Sequence, residues 1–188
     1  MPADRYDEVL TALADRARKT RLGAGLDAQT QLGPLISAEQ RDRVMGYIEK
    51  GRAAGAELIT GGEQALPDTG GYFVEPTLFS APADDIEIAR EEIFGPVLAA
   101  APYESLEEVA ERANAGDYGL AAGVWTSSLS SAHRLAALLK AGSVYVNGWG
   151  ASDAAAPFGG VRASGVGREH GRDGLDAYLE TKTVWVAL

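Results

Sequence analysis

The chain contains no cysteine and two histidines, His133 and His170. Without a thiol, these 188 residues can form no disulfide, no thiolate zinc site and no cysteine-based covalent intermediate. Two histidines permit a Ser–His pair on paper but not a multi-histidine metal centre. His133 falls within the helical run Ser130–Lys140, and His170 stands between Glu169 and Gly171 in a glycine-rich stretch, so both read as solvated or structural. Ser143, Ser152 and Ser164 have no base at motif spacing and are poor nucleophiles. The nearest approach to a phosphate loop, Gly165-x-Gly167-x-x-x-Gly171, misses the dinucleotide spacing by one residue. It also lacks a preceding strand and a following acid.

The elements that would position any site follow from periodicity and caps. Tyr6–Arg21 places Val9, Leu10, Leu13, Ala14 and Ala17 on one helical face. Gly23–Pro34 reads as a loop. The spacing Ser37-x-x-Gln40 is a capping box and predicts a helix to about Ala54. Glu57–Thr60 is a short strand, and Tyr72–Phe79 alternates but contains Pro76, which predicts an edge or interrupted strand. The pattern then becomes regular: strand Val97–Ala101, a helix opened by Ser105-x-x-Glu108, strand Leu120–Thr126, helix Ser130–Lys140 ending at a left-handed Gly142 cap, and strand Ser143–Asn147. Strands alternating with helices predict an α/β fold with right-handed crossovers and a parallel sheet covered on both faces. Gly148–Gly167 is a long loop, anchored by Trp149, Pro157 and Phe158 and expected to be ordered around a pocket. A short helix near Arg172–Tyr178 precedes a terminal strand, Thr183–Leu188.

Composition excludes several classes of function. Hydrophobic residues make up 46% and charged residues 23%, as in a globular protein with a core and unlike a disordered chain. The formal charge of −10, from 27 acidic and 17 basic side chains, repels phosphate backbones and anionic headgroups, so neither nucleic acid nor membrane is an expected partner. No apolar run reaches the roughly 18 residues of a membrane helix, and Met1–Tyr6 shows no signal-peptide pattern. The expected location is the cytoplasm.

Two segments are specific: Glu91-Glu92-Ile93-Phe94-Gly95-Pro96-Val97, and Pro157-Phe158-Gly159-Gly160-Val161-Arg162-Ala163-Ser164-Gly165-Val166-Gly167-Arg168-Glu169. Together with Gly33-Pro34-Leu35-Ile36, Gly71–Thr77, Tyr118–Val124 and Gly142–Asn147, in that order, they resemble the aldehyde dehydrogenase superfamily over nearly the whole chain. The resemblance implies the later part of that family's catalytic domain over residues 1–180, truncated at its N-terminal side, followed by an oligomerisation strand at 181–188. It implies NAD(P)-dependent oxidation of aldehydes in the parent family. The nucleotide-binding domain, the oxyanion-hole asparagine, the general-base glutamate and the cysteine nucleophile would lie before the matching region. By the same resemblance, Glu92 would accept hydrogen bonds from the nicotinamide ribose, since a carboxylate accepts from two hydroxyls at once, and Phe94 would pack against the nicotinamide side. Trp149 and Phe158 would lie along the substrate tunnel. The residues themselves also admit plainer readings, a fixed turn at Gly95-Pro96 for the first pair and core packing for the second.

The resulting expectation is a chain inactive by itself in the family reaction, with a binding or scaffolding role. The alternatives are one subunit of a split aldehyde dehydrogenase, or a small stand-alone enzyme reusing the remnant pocket. No residue of the chain is assigned a catalytic role, no metal is expected, and no cofactor is expected on the isolated chain. NAD(P) would join if a partner completed the site. The resemblance also implies a homo-oligomer, a dimer formed through the terminal strand, and it admits a full-length or N-terminal aldehyde dehydrogenase subunit as a partner.

Overall fold

A computed structural model describes residues 1–81 and 84–188. They form two compact units, Met1–Glu104 and Ser105–Leu188.

In the first unit, helix α1 spans Tyr6–Arg18 and α2 spans Ala38–Ala53. Helix α1 stops short of the expected Arg21 because Lys19 and Thr20 close the last turn on Asp15 and Ala17, and Leu22 then bridges to Leu32. Helix α2 begins where its cap predicts, the Ser37 hydroxyl accepting from the Gln40 amide at 3.2 Å. Strands β1 (Glu57–Thr60), β2 (Gln64–Ala65), β3 (Phe73–Val74), β4 (Thr77–Ser80) and β5 (Val97–Ala100) follow, with a single helical turn, α3 (Glu87–Arg90), between the last two. The interrupted strand is real: β3 and β4 are separated by Glu75-Pro76. Its second half is not an edge, however. β4 lies between β1, antiparallel, and β5, parallel.

That central place explains the burial of β4. Successive side chains of a strand point to opposite faces. Phe79 accordingly enters one cluster with Val44, Ile48, Ala56, Val74, Ile88 and Ile93, while Leu78 enters another with Leu10, Ala14 and Ala100. Helix α1 thus covers one face and α2 with α3 the other. Thr77, a buried polar residue, accepts from the Gly62 amide and donates to the Glu75 carbonyl, so its burial costs no unmade bond.

In the second unit, α4 (Leu106–Ala113) is capped by Ser105, whose hydroxyl accepts from the Glu108 amide. Strand β6 (Ala121–Val124), α5 (Leu129–Leu138) and β7 (Ser143–Val146) form a strand–helix–strand unit with β6 and β7 parallel. Helix α5 starts a residue before the expected Ser130 because Ser128 is its cap, accepting from the Ser131 amide. Ala110, Val124 and Leu135 form the core of this unit. Helix α6 (Gly171–Asp176) occupies the expected place.

The expected α/β class with parallel strands holds: β4 and β5, and β6 and β7, pair in parallel, while β1 joins β4 and β2 joins β3 in antiparallel. One further expectation is corrected. Gly142 is not a left-handed cap: α5 ends at Leu138, Leu139 is extended, and Gly142 is not among the positive-φ residues. Thr183–Leu188, expected to pair with a second copy, pairs with no strand among the described residues of its own chain, and Val184, Trp185, Val186 and Leu188 are exposed.

Candidate functional site

The Glu92–Phe94 turn is built from its neighbours outward. After α3 the chain is extended at Glu91, and Ile93 drops into the core beside Val44 and Ile48. Burying Ile93 leaves Glu92 and Phe94 to point outward, and both are exposed. Phe94 is 77% exposed and adopts φ +58°, a left-handed conformation that costs a non-glycine residue about 1–3 kcal/mol. Gly95 comes so close to α2 that an added Cβ would lie 2.5 Å from Val44 Cγ2. The next residues enter the sheet, with the Thr77 amide donating to the Pro96 carbonyl at 2.8 Å.

Side chains of α2 hold the same turn. Gln40 Nε2 donates to the carbonyls of Ile93 at 3.1 Å and Phe94 at 3.0 Å, and Arg43 Nη2 donates to the Glu92 carbonyl at 3.0 Å. The capping box predicts that Gln40 reaches back toward its own helix end. Here it reaches out instead. Arg43 also lies over the Tyr47 ring at 5.0 Å. Neither side chain is marked by the sequence as more than a helix residue, because the carbonyls they meet lie about fifty positions away in the chain.

Trp149 and Phe158 belong to the second unit. Trp149 is 63% exposed, and its ring meets Tyr145 at 5.4 Å between centroids. An added Cβ at Gly123 would fall 2.5 Å from Trp125 and 3.1 Å from Trp149, so the bare strand position lets both indoles lie against β6. Trp125, passed over in the sequence, therefore lies with Trp149 beside Gly123, both indoles exposed, while the half-buried Tyr145 packs against Trp149. The visible signal of Trp125 was an aromatic two residues after a strand glycine.

Phe158 anchors the second motif. Its amide donates to the Glu169 carbonyl at 2.8 Å and its carbonyl accepts from the Glu169 amide at 2.7 Å, which closes the segment between them into a loop with paired ends. Inside it, Arg168 Nη1 donates to the carbonyls of Gly160 and Gly167, and the Ser164 hydroxyl accepts from the Gly119 amide. Arg162, at φ +57°, donates to the carbonyls of Asn114 and Gly116. Bonds within the loop and from it to Asn114, Gly116 and Gly119 hold this conformation. A shallow open depression beside it is lined by Asn114, Ala115, Gly116, Asp117, Arg162 and Ala163, and contains neither Trp149 nor Phe158. With Phe158 36% exposed, Phe158→Ala should cost less than the roughly 3–5 kcal/mol of a fully buried phenylalanine. A thermal melt checks this, and a loss of that full size would show that the ring is packed more tightly than its exposure indicates.

The perturbed ionisable groups form surface pairs. The hydrogen bond from Arg5 lowers the Glu8 carboxyl and raises Arg5 itself, and Lys50 beside Glu87 and Arg52 beside Glu63 are likewise raised. Such exposed pairs are salt bridges rather than acid–base machinery. His133 and His170 are both exposed, and among the described residues no group of three or more acids and histidines could hold a metal ion.

Comparisons with known proteins bear on these geometries together. The aldehyde dehydrogenase family model matches residues 1–184. DhaS of Bacillus subtilis, a protein named as an aldehyde dehydrogenase, is 54% identical over 185 residues, 98% of this chain and 37% of its own. A betaine aldehyde dehydrogenase of Cereibacter sphaeroides is 47% identical over 179 residues, 95% of this chain and 37% of its own. The NAD+ complex of an aldehyde dehydrogenase from Bacillus cereus superposes with a TM-score of 0.94 at 50% identity, over 98% of this chain and 37% of that one. This chain therefore spans about 37% of the length of the curated relatives it matches. With the motifs at Glu91–Val97 and Pro157–Glu169 set in the same fold at this identity, the chain belongs to the aldehyde dehydrogenase family.

Proposed function

We propose that the chain alone does not oxidise aldehydes and acts as a self-associating binding subunit of the aldehyde dehydrogenase type. The observation that carries this reading is the absence of cysteine from a chain whose family resemblance implies a thiolate nucleophile. The chain also covers only about 37% of its relatives' length. Glu92 and Phe94 face the nicotinamide ribose and ring in this reading, and Trp149 and Phe158 face the substrate. The reading includes NAD(P) only when another polypeptide completes the site, and it excludes nucleic acid as a partner on the strength of the −10 charge. Among the described residues no helix is long and apolar enough to cross a membrane.

Self-association is assigned to the tail. Val184, Trp185, Val186 and Leu188 lie open to water, with Trp185 90% exposed. At about 25 cal/mol per Å², covering them is worth several kcal/mol, and pairing with a second copy is the way to do it that also satisfies their backbone. Sedimentation of the chain should show a dimer, and removing Thr183–Leu188 should shift it toward monomer or insolubility. A soluble monomer before and after the removal would exclude the tail as the interface.

One observation favours the split-enzyme alternative. Phe94 remains strained, exposed and held by hydrogen bonds, which stability alone does not require. Co-expression with a family polypeptide that carries the cysteine and the nucleotide domain tests it. Dehydrogenase activity that disappears on Glu92→Ala would support a split enzyme, and no complex at all would leave the binding subunit as the reading.

A further inference from the structure

We infer that Gln40 and Arg43 are positioning residues that fix the left-handed Glu92–Ile93–Phe94 turn; the inference rests on the reading of that turn as the cofactor contact. Three consecutive carbonyls of the turn are engaged by donors from adjacent turns of one helix face: Glu92 by Arg43, and Ile93 and Phe94 by Gln40. The spacing of three between Gln40 and Arg43 puts both side chains on one side of α2. Behind them, Val44 fills the space beside Gly95 that any Cβ would occupy, and Ile93 is buried against Val44 and Ile48. The turn is thus fastened by packing at Ile93 and Gly95 and by hydrogen bonds at the three carbonyls.

Two features show that this arrangement serves the position of Phe94 rather than the stability of α2. Gln40 stands at the capping-box position, where its side-chain oxygen would ordinarily accept from the Ser37 N–H, and its Nε2 donates across to the turn carbonyls. The residue it secures is a phenylalanine with φ +58° and a largely exposed ring, a combination that neither packing nor local preference produces. A strained residue persists only where its surroundings over-determine it. Gln40 supplies two of the constraints, and Arg43, itself held over Tyr47, supplies the third.

Backbone ¹⁵N relaxation of the full chain tests the inference without requiring activity. In the unaltered protein, Glu92, Ile93, Phe94 and Gly95 should show order parameters near the roughly 0.85 of rigid backbone. Gln40→Glu keeps the size and helix preference of the side chain but removes both donors. It should lower Phe94 below about 0.6 and shift its resonances away from the left-handed signature, with the melting temperature unchanged. Arg43→Ala should loosen Glu92, and Arg43→Lys, which retains a donor, should restore it. A turn equally rigid in Gln40→Glu and Arg43→Ala would overturn the inference. Millimolar NAD added to the same samples reports on the cofactor reading separately. Shifts at Glu92 and Phe94 that vanish in Gln40→Glu support both claims. A turn that loosens in Gln40→Glu but never responds to NAD upholds the positioning role and overturns only the cofactor reading.

Discussion

Incubated with NAD or NADP and a common aldehyde, the purified chain is expected to produce no reduced cofactor above background. The reaction implied by the family proceeds through thiolate attack on the carbonyl, hydride transfer from the tetrahedral carbon to nicotinamide, and hydrolysis of the thioester by an activated water. This chain has no thiol. Its histidines are exposed, and none of the serines singled out has a base hydrogen-bonded to its hydroxyl: Ser164 Oγ accepts from a backbone amide, and Ser143 lies in β7. Loss of a nucleophile alone removes on the order of 10⁶ in rate in well-studied hydrolases, so the expected effect is complete at ordinary enzyme concentrations. Absorbance at the reduced-nicotinamide band checks it. Turnover that survives re-purification and is lost on Glu92→Ala would show that the chain holds chemistry of its own.

The starts of α2 and α4 were legible because the information is local. Ser37, Ser105 and their partners three residues on mark the starts of α2 and α4, and the structure places both hydroxyls on the expected amides. The two family motifs were legible as text. What the motifs do spatially was not, since Gln40 and Arg43 find their acceptors across about fifty residues of chain, and a capping box looks the same whether or not its glutamine turns outward. The central place of β4 was hidden for a related reason. Pro76 is a valid signal for an edge, yet it falls just before the ladder begins and so removes no hydrogen bond from it. Which neighbour a strand takes, and in which direction, is set by long-range packing of Leu78 and Phe79 on two faces, and neither residue carries that choice in its own neighbourhood. The tail is a parallel case: Val184 and Val186 alternate as a strand does, but alternation does not say whose strand will pair with it.

Gly142→Ala is expected to be the most damaging single methyl addition in the second unit. The glycine after α5 looked like a helix cap, but its φ is not positive and its role is steric. A Cβ there would lie 1.6 Å from the Gly159 carbonyl oxygen and 2.8 Å from the Gly159 carbonyl carbon. Reaching an ordinary contact of 3.4 Å from 1.6 Å means moving one backbone about 1.8 Å from the other, and no rotamer change can help because both partners are main chain. The segments that would move are bonded: Gly142 N donates to Gly119 O at 3.0 Å, Val161 N to the same oxygen at 3.1 Å, and Phe158 and Glu169 exchange both their amide bonds. Overpacking of this kind costs about 1–3 kcal/mol before any bond is lost, and each lost bond adds roughly 1 kcal/mol. The total is about 3 kcal/mol or more, a fall in melting temperature of some 6–12 °C or greater for a domain of this size, since each kcal/mol is worth about 2–4 °C. Gly116→Ala is the control, because its added methyl meets nothing within 4 Å and its φ is ordinary, so a change within about 0.5 kcal/mol is expected there. The damage should also be local first: amide exchange at Phe158, Val161 and Glu169 should quicken in Gly142→Ala at temperatures where α4 and α5 remain protected. A Gly142→Ala chain that melts with the control, its Phe158 and Glu169 amides still protected, would mean that the loop from Phe158 to Glu169 can sit further from β7 than it does here.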